Sequence, residues 1–193
     1  MRIQLTLLSL AAMVLVACSE SDITVNIDIL SFMDPADVNY QSGTFDAPQN
    51  LPLNVDLPAG TNPVFSTQSP PTTVNLLEGG SDLIEFNSVT LEYKMELEPQ
   101  NFSGLCTVKL YLGTMPDVFN DPTGLVISDQ HVLPATFDLS LSDPLLNFLF
   151  EQNEIFVGYE VILEPLRLTD HQVSASGQIK TFETLLLGRQ GII

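Results

Sequence analysis

Tryptophan is absent from the 193 residues, and cysteine occurs only twice, at Cys18 and Cys106. An immunoglobulin domain of the disulfide-bridged kind needs a cysteine pair between its sheets and a tryptophan packed on that pair, so its signature is missing. Histidine is as scarce: His131 and His171 lie far apart in sequence, and neither stands in a metal-ligand spacing such as H-E-x-x-H. No G-x-S-x-G elbow, P-loop, C-x-x-C or G-x-G-x-x-G occurs. Cations are few, with six Lys and Arg against 24 Asp and Glu and a formal net charge of −18. Such a surface repels nucleic-acid phosphates, so no nucleic-acid partner is expected. The acids are scattered through the chain and form no block, which is the distribution of a solvated surface. Nor do scattered acids by themselves set a carboxylate pair at glycosidase separation. The chain therefore reads as non-catalytic, with a hydrolase assembled from sequence-distant residues as an alternative.

The apolar run from Leu5 to Ala17, interrupted only by Thr6 and Ser9, falls short of the roughly 20 residues that span a bilayer. With Arg2 ahead of it and small residues behind, it has the layout of a secretory signal peptide. Its last residues and the one that follows, Leu15, Val16, Ala17 and Cys18, resemble the lipobox of bacterial lipoproteins. The resemblance covers residues 1–18 alone. It implies cleavage before Cys18 and a diacylglyceryl group on the Cys18 thiol, so that Cys18 becomes the lipidated amino terminus. The chain then divides into a leader over 1–17, a lipidated terminus and short tether over 18–22, and one domain over 23–193. Anchoring on two or more acyl chains is stable where a single chain is marginal, because each buried methylene adds about 0.8 kcal/mol. The implied partner is a membrane, reached through the lipid. Ser19 after the cysteine resembles the sorting pattern for an outer membrane, in a cell that has one; Glu20 and Asp22 more loosely resemble acidic signals for the cell surface. At roughly 3.5 Å per residue, Ser19 to Asp22 reach about 14 Å, which keeps the domain near its bilayer. With Cys18 carrying lipid, Cys106 has no disulfide partner, and an exported domain must rely on its core.

After the leader nearly everything has the period-two pattern of strands. Ile23, Val25, Ile27 and Ile29 alternate with polar residues, and Leu51, Leu53, Val55 and Leu57 repeat the pattern, with Pro52 and Pro58 suggesting an edge. Val89 to Leu97 alternate with Thr90, Glu92, Lys94, Glu96 and Glu98, and Cys106, Val108, Leu110 and Leu112 share one face of the next segment. Pro99 to Gly104 supply turn residues between these two, which predicts a hairpin. Further strands are expected over 125–132, 135–141, 155–163 and 178–187, and long connections over 31–82 around the strand at 51–57. Asp143 followed by Pro144 and a clustered apolar run predicts a short helix near 143–151, packed on the sheet as a crossover. The segment from Leu185 to Ile193 is either a last core strand or a docking strand. Many short strands with little helix predict an all-β fold, an antiparallel β-sandwich, with a small β-barrel as the alternative.

Candidate sites are few. Asp117, Asn120 and Asp121, in the loop from Pro116 to Gly124, offer the hard oxygen atoms that calcium accepts, although their spacing is not that of an EF-hand. Asp and Asn also cap turns, and calcium is the only cofactor in view. Asp34 and Asp37 invite the same comparison. Cys106 reads as a small buried apolar residue, with no histidine or cation nearby in sequence to activate its thiol. His171 is placed in a turn and His131 near a strand end. The expected function is a membrane-anchored envelope lipoprotein whose β-sandwich binds or supports another envelope component, protein or glycan. A carrier enclosing an apolar ligand is the alternative.

Overall fold

The computed structural model describes residues 22–75, 84–150, 152 and 154–190. The leader, Cys18, Ser19 to Ser21 and the last three residues lie outside the described residues. Among the described residues ten strands follow in chain order: β1 (Asp22–Asp28), β2 (Phe45–Asp46), β3 (Phe65–Gln68), β4 (Thr72–Asn75), β5 (Ile84–Gln100), β6 (Phe102–Gly113), β7 (Leu125–Val132), β8 (Ala135–Leu141), β9 (Glu154–Leu168) and β10 (Gln172–Gln190). Two helices intervene, α1 (Pro35–Val38) and α2 (Pro144–Phe150). All pairing between these strands is antiparallel. One sheet has the order β1-β10-β5-β8, with β2 continuing along β10, and the other has β3-β9-β6-β7, with β4 continuing along β9. The molecule is thus an antiparallel β-sandwich, and the sheets do not close into a barrel.

The expected hairpin between the fifth and sixth strands does not exist. β5 and β6 are separated only by Asn101, yet they belong to opposite sheets: β5 pairs with β10 and β8, whereas β6 pairs with β9 and β7. Asn101 turns the chain with φ of 66°, a left-handed conformation that Asn tolerates. Two further connections cross between the sheets beside it, Leu133–Pro134 from β7 to β8 and Thr169–His171 from β9 to β10. The Thr169 amide donates to the Asn101 carbonyl (2.9 Å), the Asn101 side-chain amide donates to the Gln172 carbonyl (2.8 Å), and the Leu133 amide donates to the Gly104 carbonyl (2.9 Å). The sandwich is in effect three long antiparallel ribbons folded over at one shared line.

The two inner faces meet in one apolar cluster. Val89, Leu91, Tyr93, Met95 and Leu97 of β5 face Cys106, Val108, Leu110 and Leu112 of β6 and Ile155, Val157, Tyr159, Val161 and Leu163 of β9. Period two puts these residues on one side of each strand and their polar neighbours on the other. Along one margin the space between the sheets is closed by Phe45 stacked on Phe65 (4.9 Å between ring centroids) and by Tyr40 edge-on to Tyr159. At the opposite margin β7 and β8 are the outermost strands, and α2 packs on β5 with Leu146, Leu149 and Phe150 buried. The Asp143 carboxylate caps α2 by accepting from the Leu145 amide (2.7 Å), as its sequence predicts.

The segment 51–57 is not a strand. It makes two isolated bridges, Leu53 to Leu168 and Asp56 to Arg167, and only Leu57 is buried while Leu53 and Val55 are exposed. The alternation there belongs to a proline-broken connection in which Asn54 takes φ of 62°. The real strands of that region, β2 to β4, are short and rich in Ser, Thr and Asn, with too few apolar residues to display a period. Expected ends also move: β5, β9 and β10 run well past 89–98, 155–163 and 178–187, and Ile29 leaves β1 to start a 3₁₀ turn through Phe32.

Gly104 lies where the pairing of β6 with β9 shifts register. A Cβ there would come within 2.8 Å of Pro165 Cα and Leu166 N and would also meet the Glu164 carbonyl oxygen, all of it backbone that does not yield. Gly104→Ala is expected to lower the unfolding free energy by about 2 kcal/mol, seen as a lower urea midpoint at unchanged slope. An unchanged midpoint contradicts this.

Candidate functional site

Asp117, Asn120 and Asp121 all fall in the connection between β6 and β7, which includes a 3₁₀ turn at Val118–Asn120. Asp121 turns its carboxylate back into the loop. One oxygen accepts from the amides of Thr114 (2.8 Å) and Met115 (3.2 Å), and the other from the amide (2.8 Å) and hydroxyl (2.7 Å) of Thr123. Burial opposes its ionisation, but these hydrogen bonds outweigh it and hold the carboxyl below its ordinary value. Asn120 instead donates its side-chain amide to both oxygens of Asp117 (3.2 and 3.0 Å). Asp121 therefore pins the loop while Asp117 and Asn120 engage each other. Among the described residues no three His, Cys, Asp or Glu side chains stand together as a metal site. Asp34 caps α1 through the Ala36 amide (2.8 Å), and the Asp37 carbonyl accepts the Tyr159 hydroxyl (2.8 Å), so both residues hold the closed margin. His171 sits in the crossing to β10, where its carbonyl receives the Ala47 amide (2.7 Å).

Cys106 does have a histidine beside it. The register sets Cys106 of β6 opposite His131 of β7, and His131 Nε2 lies 2.7 Å from the Asp129 carboxylate. A thiol, an imidazole and a carboxylate thus adjoin in a way the sequence distance conceals. The arrangement is not that of an activated nucleophile, however. Cys106 is fully buried, and burial alone pushes its thiol up to about 12, whereas His131 stays at the open margin with its ring edge-on to Phe137 (5.1 Å).

A group of polar side chains from three strands lies on the outer face of the sheet formed by β3, β9, β6 and β7. Glu160 of β9 accepts from the Ser66 hydroxyl of β3 (2.6 Å) and the Tyr111 hydroxyl of β6 (2.9 Å) and pairs with the Lys109 ammonium of β6 (3.3 Å). Burial raises its pKa, but the three hydrogen bonds and the lysine charge outweigh that and leave it below 4.5. Tyr111 moves the other way, up to about 12, through burial and its bond to Glu160. Phe119 from the β6–β7 connection covers this face, edge-on to Tyr111 (5.0 Å) and in the space left by the missing side chain of Gly158. The group is a fixed carboxylate ringed by donors, suited to orienting the Tyr111 hydroxyl and the Lys109 ammonium at the surface. Sequence could not bring it out, because Ser66, Lys109, Tyr111 and Glu160 come from three strands whose adjacency follows only from the folded topology.

The other outer face is acidic. Register aligns Asp28, Glu183 and Glu92 across β1, β10 and β5, and like charges in such positions repel. The Asn26 side-chain amide bonds Glu183 (3.0 Å), and Asp28 accepts from the Leu30 amide (3.1 Å), which moderates the row. Lys94 and Lys180 pair with Asp138 (3.5 Å) and Glu96 (3.3 Å). No family model, curated protein or solved structure matches the chain.

Glu160→Gln removes the charge that Lys109 answers, and is expected to cost about 1–2 kcal/mol at neutral pH. Because the native carboxyl is depressed, its contribution is present above the ordinary 4.5 and is lost as pH falls through the native value. Urea unfolding near neutral pH and in acid should show the deficit of the variant shrinking in acid, whereas an equal deficit at both contradicts the assignment.

Proposed function

We propose that the protein is a membrane-anchored envelope lipoprotein whose β-sandwich, without catalysing a reaction, binds or supports another envelope component, protein or glycan. The observation that carries this proposal is the sequence Leu15-Val16-Ala17-Cys18 placed only three residues ahead of β1, which opens at Asp22 as a paired strand of the sheet. An acyl chain on Cys18 ties the fold itself to the bilayer. No helix among the described residues is long and apolar enough to cross a membrane. In a cell with an outer membrane, that membrane is the destination, after the Ser19 pattern.

The non-catalytic part of the proposal is supported by the fate of the candidate groups. The Cys106 thiol is buried, Asp121 is consumed by its own loop, and Glu160 is saturated with donors. What faces outward is a sheet face with Tyr111, Phe119 and Lys109, and the outermost strands β7 and β8, surfaces of the sort that engage a strand or a glycan.

Mass spectrometry of the protein from its native membrane is expected to find Cys18 acylated and residues 1–17 removed, and Cys18→Ser is expected to leave the membrane fraction. An unmodified thiol with Met1 in place overturns the anchoring. Pull-down of the lipidated protein in detergent then identifies the component it holds.

A further inference from the structure

We infer that the end of the sandwich remote from the three crossings rests in the headgroup layer of the bilayer, with Met115, Phe148 and Leu187 as its apolar contacts. The inference rests on the lipid anchoring proposed above and adds which surface meets the membrane. Ser19 to Ser21 separate Cys18 from β1, so the start of β1 lies at most about 14 Å from the lipidated residue. That start is at the remote end: Asp22 pairs with Arg189, close to the end of β10, while the crossings lie at the beginning of β10. In the second sheet the strands also run away from the crossings, to Gly113 opposite Phe156 and to Asn75 opposite Glu154.

The exposed apolar side chains of this half suit such a surface. Met115 follows the end of β6 and is 47% exposed, and Phe148 is 48% exposed on α2, which carries the chain from the end of β8 to the start of β9. Leu187 and Leu185, 42% and 39% exposed, stand on the outer face of β10 opposite Thr24 and Asn26 of β1.

Charge is graded along the same face. The backbone register of β1, β10 and β5 ends at the row Asp22, Arg189 and Glu85. The next two rows, Thr24–Leu187–Ser88 and Asn26–Leu185–Thr90, carry no charge. Beyond them comes the unbalanced acidic row Asp28, Glu183 and Glu92, then Asp138 and Glu96, which Lys94 and Lys180 answer, and Glu98 toward the crossings. Apolar side chains gain by entering the interface, and acids are repelled by anionic lipid, so this gradient limits the depth of insertion. The crossing end, with Asn101, Leu133–Pro134 and Thr169–His171, then points away from the membrane and is the end offered to a partner.

The absence of tryptophan provides a clean reporter. Phe148→Trp, Leu187→Trp and, near the crossings, Val132→Trp (63% exposed) replace exposed side chains in the full lipidated protein. Each is reconstituted in vesicles of phosphatidylethanolamine and phosphatidylglycerol, with or without bromine on the upper acyl-chain carbons. Bromine is expected to lower fluorescence about twofold or more for Phe148→Trp and Leu187→Trp and to leave Val132→Trp unchanged. No quenching at either Phe148→Trp or Leu187→Trp, or quenching at Val132→Trp equal to theirs, overturns the orientation while the anchoring stands. Mass spectrometry of the same preparations separates that result from failure of the anchoring, which an unacylated Cys18 reveals.

Discussion

Three chain crossings side by side are what the remainder of the sandwich depends on. Each ribbon contributes one strand to each sheet, so neither sheet assembles from a contiguous piece of chain. A single residue, Asn101, makes the tightest of the three turns, and its carbonyl and side-chain amide bind the neighbouring crossing on both sides. The connections at Leu133–Pro134 and Thr169–His171 are held to the same line by backbone hydrogen bonds. Because the strands lie antiparallel on both sides of this line, pairing at the crossings sets the register in which the ladders begin, which then shifts at Ser103/Gly104 in one sheet and at Ile179/Thr181 and Leu187/Gly188 in the other. The price in loop entropy is low for such short turns, and the apolar faces of β5 and β6 are brought together at once.

Packing then follows from period two. One face of each long ribbon is mostly Val, Leu, Ile or aromatic, with Met95, Cys106, Ala175 and Thr184 among them, and folding the ribbon over turns those faces toward each other. The core takes in Tyr93, whose hydroxyl bonds the Met95 sulfur (3.1 Å), and whose ring meets Phe182 edge-on. Short segments close one margin through aromatic contacts, and α2 covers part of the other. The large acidic excess stays outside the core, where water screens it, and the few lysines stand beside acids on the strand faces.

Strand identity was legible wherever alternation was long and one face was wet, as from Val89 to Glu98 and from Ile155 to Leu163. Sheet membership was not, because a turn between two alternating segments looks alike whether the chain returns in the same sheet or passes to the other. Residues 51–57 show the converse error: alternation alone, interrupted by Pro52 and bounded by Pro58, does not supply ladder partners. Asp143 and Pro144 announced α2 because capping is local. The Glu160 group and the approach of His131 to Cys106 are products of register, and register is a long-range property. Asp117, Asn120 and Asp121 were correctly grouped in one loop, but which of them turned inward was decided by the amides of Thr114, Met115 and Thr123.

The same topology bears on the proposed anchoring. On the anchoring proposed above, the strand that follows Cys18 is an edge strand paired with β10, so a pull on that anchor would be borne by a ladder rather than by a loose tail. β10 in turn passes through the crossings into β9, and so joins the sheet that contains β1 to the one that carries Glu160, Tyr111 and Lys109. If the crossings govern the whole molecule, both sheets open together. Native-state hydrogen exchange across a denaturant series tests this most directly. The account predicts that the amides of Thr169 and Leu133 and the interior amides of β5 and β9 become exchangeable along one global unfolding isotherm. Crossing amides that exchange at low denaturant while both sheets stay protected, or one sheet opening well before the other, would contradict it.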